Sequence, residues 1–218
     1  MVLLVQLSLD TSNNTAFTGM TTERNRYLPD LKWLAMRTLE RAQELNALRF
    51  GDFTLTSGSK SKYYFDGRVL TLDPEGADLI SEAFLAMAVE VGAGGVGGPT
   101  VAAVPIWGAL VLRSRQAGTP MNGYFVRDAV KEHGARKQVE GVIKPGTKVV
   151  VFDDTVSTGG SLLLAMDAIE EFGCDVVAVL CVLDRHQGGS DEVRRRGLPF
   201  RAMLEADAEG NVVVSKDL

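Results

Sequence analysis

The chain has 218 residues, 45% of them hydrophobic and 23% charged, with a net charge of −5. That is enough for one domain with a full core, and it leaves no global basic field of the kind that nucleic-acid binding favours. The two cysteines, Cys174 and Cys181, form no disulfide framework, and the two histidines, far apart in sequence, give no zinc spacing.

The opening MVLLVQLSLD is apolar but short, without a cationic start or a small-residue cleavage site. A Thr- and Asn-rich stretch follows it, and residues 1–25 read as a peripheral extension. From residue 26 to 218 the chain reads as a single domain. Pro29–Leu48 carries apolar residues at helical spacing, including Leu31, Leu34 and Leu45. Phe50–Asp66 alternates aromatic, polar and turn-forming residues, which predicts a hairpin or two short strands. Asp73-Pro74 and Gly92 bracket a helix whose apolar face holds Ile80, Phe84, Met87 and Val91. Gly92–Gly97 has the G-x-G-x-x-G form of a dinucleotide fingerprint, but it follows a helix instead of opening one after a strand. No Gly-Lys-Ser/Thr occurs, so a nucleoside-triphosphate P-loop is absent.

Val104–Ala117 predicts a helix and Met121–Val126 a strand. Arg127–Gly141 is polar and lacks apolar periodicity, which predicts a long loop or a hairpin, and loops of that length are commonly functional. Lys148–Phe152 predicts a strand, Leu162–Phe172 a helix and Val176–Leu183 a strand buried on both faces. This is a βαβ unit, so the fold class is α/β with a central parallel sheet flanked by helices. Ligands bind beyond the carboxyl ends of such strands, which brings Asp153, Asp154 and Asp184-Arg185 to one edge. Arg194-Arg195-Arg196 reads as a solvated helix face.

The densest chemistry lies in Val149–Ser161, VVVFDDTVSTGGS. Here a buried strand runs into two acids, and a Ser-Thr-Gly-Gly-Ser turn then opens a helix. Gly159 and Gly160 allow close approach of backbone to an anion, the helix N-terminus attracts phosphate, and the acids suit sugar hydroxyls or a metal.

This string resembles the phosphoribosyl-pyrophosphate (PRPP) motif of the type I phosphoribosyltransferases. Three further segments resemble orotate phosphoribosyltransferases: FGDFTLTSGSKSKYYFDGR, FVRDAVKEHGARKQVEG and VLDRHQGG. In order and spacing they cover the chain from about residue 50 to 189. The resemblance implies the type I fold with a small N-terminal hood from about residues 26–70, and a mobile catalytic loop at 127–141. It implies that Asp153 and Asp154 engage the ribose hydroxyls and that Thr155, Val156, Ser157, Thr158, Gly159, Gly160 and Ser161 hold the 5′-phosphate region. Arg127, Lys131 and His133 match positions that grip pyrophosphate, with Lys131 and His133 catalytic beside the two acids. Tyr64, Phe65 and Ser157 match positions near orotate, and Arg185 matches the residue meeting its carboxylate. The implied cofactor is Mg²⁺ carried by the pyrophosphate, with no dedicated set of protein ligands. A cytoplasmic homodimer whose loop reaches the neighbouring site is also implied, with no nucleic-acid or membrane partner. The chain departs from the pattern at Thr56, Ala102 and Asp128, where many members have Lys; Lys60, Lys62, Arg136 and Lys137 are the candidate compensating cations. A phosphoribosyltransferase for another base, or a PRPP-sensing regulator, are the alternative readings.

Overall fold

The computed structural model describes residues 29–54, 58, 60–99, 103–127 and 138–218. Residues 1–28, which include the predicted extension, lie outside the described residues, as do Thr56, Ala102, Asp128, Lys131, His133, Arg136 and Lys137.

Helix α1 (Leu31–Glu44) begins at Asp30, whose carboxylate accepts the Trp33 N–H at 3.1 Å. Strands β1 (Leu48–Thr54) and β2 (Lys60–Phe65) form the expected antiparallel hairpin, which stands as a separate two-stranded sheet. The one-turn helix α2 (Gly67–Thr71) follows, and then α3 (Pro74–Glu90). The predicted cap of α3 is present, with Asp73 accepting the Gly76 N–H at 2.9 Å and Pro74 in the first turn.

Seven strands make the main sheet, in the order β5-β4-β3-β6-β7-β8-β9. They are β3 (Gly95–Pro99), β4 (Asn122–Val126), β5 (Val139–Gly141), β6 (Lys148–Val156), β7 (Asp175–Asp184), β8 (Phe200–Ala206) and β9 (Val212–Val214). The five inner strands are parallel, and the edges β5 and β9 are antiparallel. Helices α4 (Val104–Gln116), α5 (Gly160–Glu171) and α6 (Gly189–Arg195) complete the crossovers. The α/β expectation therefore holds, although the sheet is mixed, with antiparallel edges β5 and β9. The glycine run is a central strand, β6 continues four residues past Phe152, β8 and β9 extend the sheet beyond the expected strands, and the antiparallel pairing of β5 with β4 agrees with the hairpin alternative.

The glycine strand has a steric cause. A Cβ on Gly97 would sit 2.1 Å from the Tyr124 carbonyl oxygen in β4, and one on Gly98 would sit 2.1 Å from the Phe152 carbonyl oxygen in β6. Neighbouring backbones fill the space that side chains would take.

The core lies on both faces of the sheet. Val150, Phe152, Leu180 and Val182 pack with α1 and α3, where Phe84 meets Phe152 edge-on at 5.4 Å. Val149, Val151, Val179 and Cys181 face the opposite way, with Leu162, Met166 and Ile169 of α5. After β3 the chain adds β4 on one side and, later, β6 on the other. The carboxyl ends of β3 and β6 thus flank the topological switch point, where ligands bind in open α/β sheets.

Candidate active site

Alternation along β6 determines where its two acids go. Val151 faces α5 and Phe152 faces α3, so Asp153 turns to the α5 side and Asp154 to the α3 side. The contacts agree: Ser161, in the first turn of α5, donates to Asp153 Oδ2 at 3.5 Å, while Asp154 packs on Gly67. A Cβ at Gly67 would lie 2.0 Å from Asp154 Oδ2, so a side chain there would expel the carboxylate. Because β6 still pairs with β7 at Thr155↔Leu183 and Val156↔Asp184, both acids lie inside the strand. Each is only 9% exposed.

That burial governs their charge. Burial first, and then repulsion from Asp154, push the Asp153 carboxyl up to about 8. Asp154 is also raised, by burial first, with nearby Asp66 adding to the effect and Arg68 opposing it. Two adjacent buried carboxyls disfavour each other's ionised form, and hydroxyl donors or a cation beside them would favour it.

The Thr155–Ser161 turn ends in Gly159, the N-cap of α5, at φ +80°. No side chain caps this helix. Its first-turn N–H groups are left for an anion. The turn is braced from the neighbouring strand end, where Gly189 N–H donates to the Ser157 carbonyl at 2.9 Å. A Cβ on Gly189 would lie 2.8 Å from Gly159 N, so the two loops touch backbone to backbone.

Arg185 follows β7, with its backbone N–H bonded to the Val156 carbonyl at 2.8 Å. Its guanidinium lies 5.3 Å from the centre of the Tyr63 ring, its Nε is buried without a hydrogen-bond partner, and it makes no ion pair among the described residues. Tyr63 was not singled out from the sequence. The run Tyr63-Tyr64-Phe65 offers no polar alternation from which to choose a face, but period-2 geometry separates its members. Tyr63 and Phe65 turn into the core, and Tyr64 turns outward against Phe53 (5.8 Å) and the Arg49 guanidinium (5.0 Å). Tyr64 and Phe65 are therefore not one surface, and Tyr63 is the ring that meets Arg185.

At the base of the 128–137 segment, Arg127 N–H donates to the Gln138 carbonyl at 3.0 Å. Arg127 Nε donates to Glu140 at 2.5 Å, and its guanidinium lies 5.4 Å from the Phe125 ring, which stacks on Trp107. Of the candidate compensating cations, Lys60 donates to Thr54 and Lys62 pairs with Asp52, both at 2.7 Å. Arg194, Arg195 and Arg196 pair with surface acids, as a solvated face requires.

Two buried acids and an uncapped helix end at the switch point of an α/β sheet are the arrangement of a phosphoribosyltransferase, and the comparisons give that class. The model of the phosphoribosyl transferase domain matches residues 115–196. The chain is 40% identical over 166 residues to the orotate phosphoribosyltransferase of Rhodopirellula baltica, covering 73% of this chain and 86% of that protein. Among solved structures, orotate phosphoribosyltransferase of Mycobacterium tuberculosis H37Rv in complex with Fe(III) dicitrate superposes with a TM-score of 0.67 at 32% identity. It covers 81% of this chain and 97% of that one. The same enzyme in complex with PRPP gives a TM-score of 0.64 at 32% identity, over 81% and 96% of the two chains. The chain belongs to the orotate phosphoribosyltransferase family.

Proposed function

We propose that this enzyme transfers ribose 5-phosphate from PRPP to N1 of orotate, giving orotidine 5′-monophosphate and pyrophosphate, a step of pyrimidine nucleotide synthesis. The observation that carries this reading is the union, at one switch point, of the buried Asp153-Asp154 pair with the uncapped N-terminus of α5. The first-turn N–H groups and the hydroxyls of Ser157, Thr158 and Ser161 take the 5′-phosphate. Asp153 and Asp154 accept the ribose 2′ and 3′ hydroxyls, and accepting those donors returns them to the ionised form. Arg185, without an ion pair among the described residues and lying against Tyr63, takes the orotate carboxylate.

Positive charge builds on the ribose as the pyrophosphate bond breaks. Catalysis then consists of aligning two bound reactants and stabilising the leaving group. Arg127, Lys131 and His133 supply the cations for the second task. Among the described residues, no cluster of three or more His, Cys, Asp or Glu could hold a metal unaided. The donors at hand, two adjacent carboxylates beside a bound polyanion, suit a Mg²⁺ ion held mainly by substrate. When bound, Mg²⁺ neutralises charge on the pyrophosphate. A homodimer in the cytoplasm completes the proposal; the two unpaired buried thiols fit a reducing compartment, and sedimentation analysis tests the dimer.

The decisive assay is loss of orotate ultraviolet absorbance on mixing enzyme, PRPP and Mg²⁺, run beside adenine, xanthine and uracil. Turnover confined to orotate is expected. Turnover of another base, or none at high enzyme concentration, overturns the reading.

A further inference from the structure

Just past Arg185, His186 adopts φ +51°, a left-handed conformation that non-glycine residues seldom take. Such strain persists only where the surroundings hold it. Here they do. The His186 N–H donates to Asp184 Oδ1 at 2.9 Å. Its Nδ1 lies 3.3 Å from Asp184 Oδ2 and its Nε2 lies 3.7 Å from Glu205 Oε2. Glu205 is itself anchored, accepting from Ser215 Oγ at 3.0 Å.

Asp184 is the reason this matters. It is 1% exposed, and it sits directly before an arginine that must stay available. A buried carboxylate next to a guanidinium would ordinarily draw it into an ion pair. Yet Arg185 pairs with no carboxylate among the described residues and lies over Tyr63 instead. Asp184 Oδ1 is taken by the His186 backbone, and Oδ2, which has no hydrogen-bond partner, has the imidazole as its near neighbour. The turn at residue 186 also sends the chain back so that Gly189 reaches Ser157.

We propose that His186 is a positioning residue for the base site. Bracketed between Asp184 and Glu205, its imidazole engages the Asp184 carboxylate and leaves the Arg185 guanidinium free for the anionic group of the substrate. This rests on the reading that Arg185 binds the orotate carboxylate.

The test is steady-state kinetics with orotate and PRPP varied separately. Arg185→Ala should raise the KM for orotate and leave that for PRPP within about twofold. His186→Gly keeps the backbone conformation without strain and removes the imidazole. It should raise the orotate KM roughly three- to tenfold, the scale of one polar side-chain contact, with the PRPP KM unchanged. His186→Asn tolerates the left-handed conformation and can donate to Asp184, so it should restore a near-native orotate KM. If Arg185→Ala changes the orotate KM and His186→Gly does not, this role is wrong while the base-site reading stands. An equal rise in both KM values in His186→Gly also overturns it, because that marks a general loosening of the loop. A native orotate KM in Arg185→Ala removes the base-site reading, and this role with it.

Discussion

Asp153→Asn separates the electrostatic cost of the site from its use. In the substrate-free protein, burial and the neighbouring Asp154 push the Asp153 carboxyl up to about 8. An unfolded aspartate titrates near 4. The folded protein therefore keeps a proton that the unfolded chain releases as pH rises from about 4 to about 8, and stability falls across that window. For one proton the slope reaches roughly 1 kcal/mol per pH unit, or on the order of 3 kcal/mol between pH 5 and pH 7. Asparagine keeps the shape and still accepts the Asp154 N–H through Oδ1, a 2.9 Å bond in the wild type, but it does not ionise. Thermal melts of substrate-free wild type and variant at pH 5, 6, 7 and 8 and constant ionic strength should start close together. They should then separate, with the variant the more stable by roughly 5–10 °C at pH 7 if the whole slope belongs to Asp153. Asp154, raised first by its own burial, retains part of the slope and reduces that gap. Addition of PRPP and Mg²⁺ should reverse the order, since the variant loses an acceptor for ribose. Parallel melting curves across the pH range, or a gap largest at pH 5, would refute the account of a charge held at a cost.

Lys131→Ala should lower kcat at least tenfold with an unchanged melting temperature; an unchanged rate would remove Lys131 from the mechanism. Gly98→Ala forces a Cβ to within 2.1 Å of the Phe152 carbonyl oxygen and should destabilise the fold by at least 1–3 kcal/mol on an order-of-magnitude scale, so a native melt would contradict the backbone packing described. Gly189→Ala places a Cβ 2.7 Å from Val156 Cγ1 and 2.8 Å from both Gly159 N and Ser157 O. It should raise the PRPP KM about tenfold or more through displacement of the phosphate turn, and an unaltered PRPP KM would show that the two loops are not mechanically linked.

The legible parts of the chain were those where local chemistry and side-chain period agree. Asp73-Pro74 marks the start of α3 because one side chain caps the helix and the next lacks an N–H that the helix cannot use. The Val176–Leu183 run marks a strand because both its faces are buried. The glycine strand β3 was hidden for the opposite reason: its stability comes from neighbouring backbones, and glycine leaves no pattern of apolar side chains. The sequence alone ends β6 at Phe152, because aspartates ordinarily end strands. Here they stay in register with Cys181 and its neighbours, which is what buries them. Tyr63 escaped notice because three consecutive aromatics carry no phase, and the phase is set only when Leu48 pairs with Phe65 across the hairpin.

The two halves of the site are built on different principles. The proposed sugar-phosphate half is held by ladder register in β6, by the φ +80° turn at Gly159 and by the bond from Gly189 to Ser157. Every one of these is backbone, so the half is formed before substrate arrives and needs little reorganisation. Its cost appears in the Asp153 and Asp154 carboxyls, both pushed up first by burial. The proposed base-side half relies on side chains: an arginine without a carboxylate partner among the described residues, a tyrosine ring against it and a strained histidine next in the chain. A change of preferred base therefore calls for substitutions around Tyr63, Arg185 and His186, with β6 and its turn left intact. Exchange of those three positions alone should move base preference while the PRPP KM stays within about threefold, on the rule that well-separated sites act independently. A PRPP KM that rises with every such exchange would show that the halves are one mechanical unit, joined through Gly189.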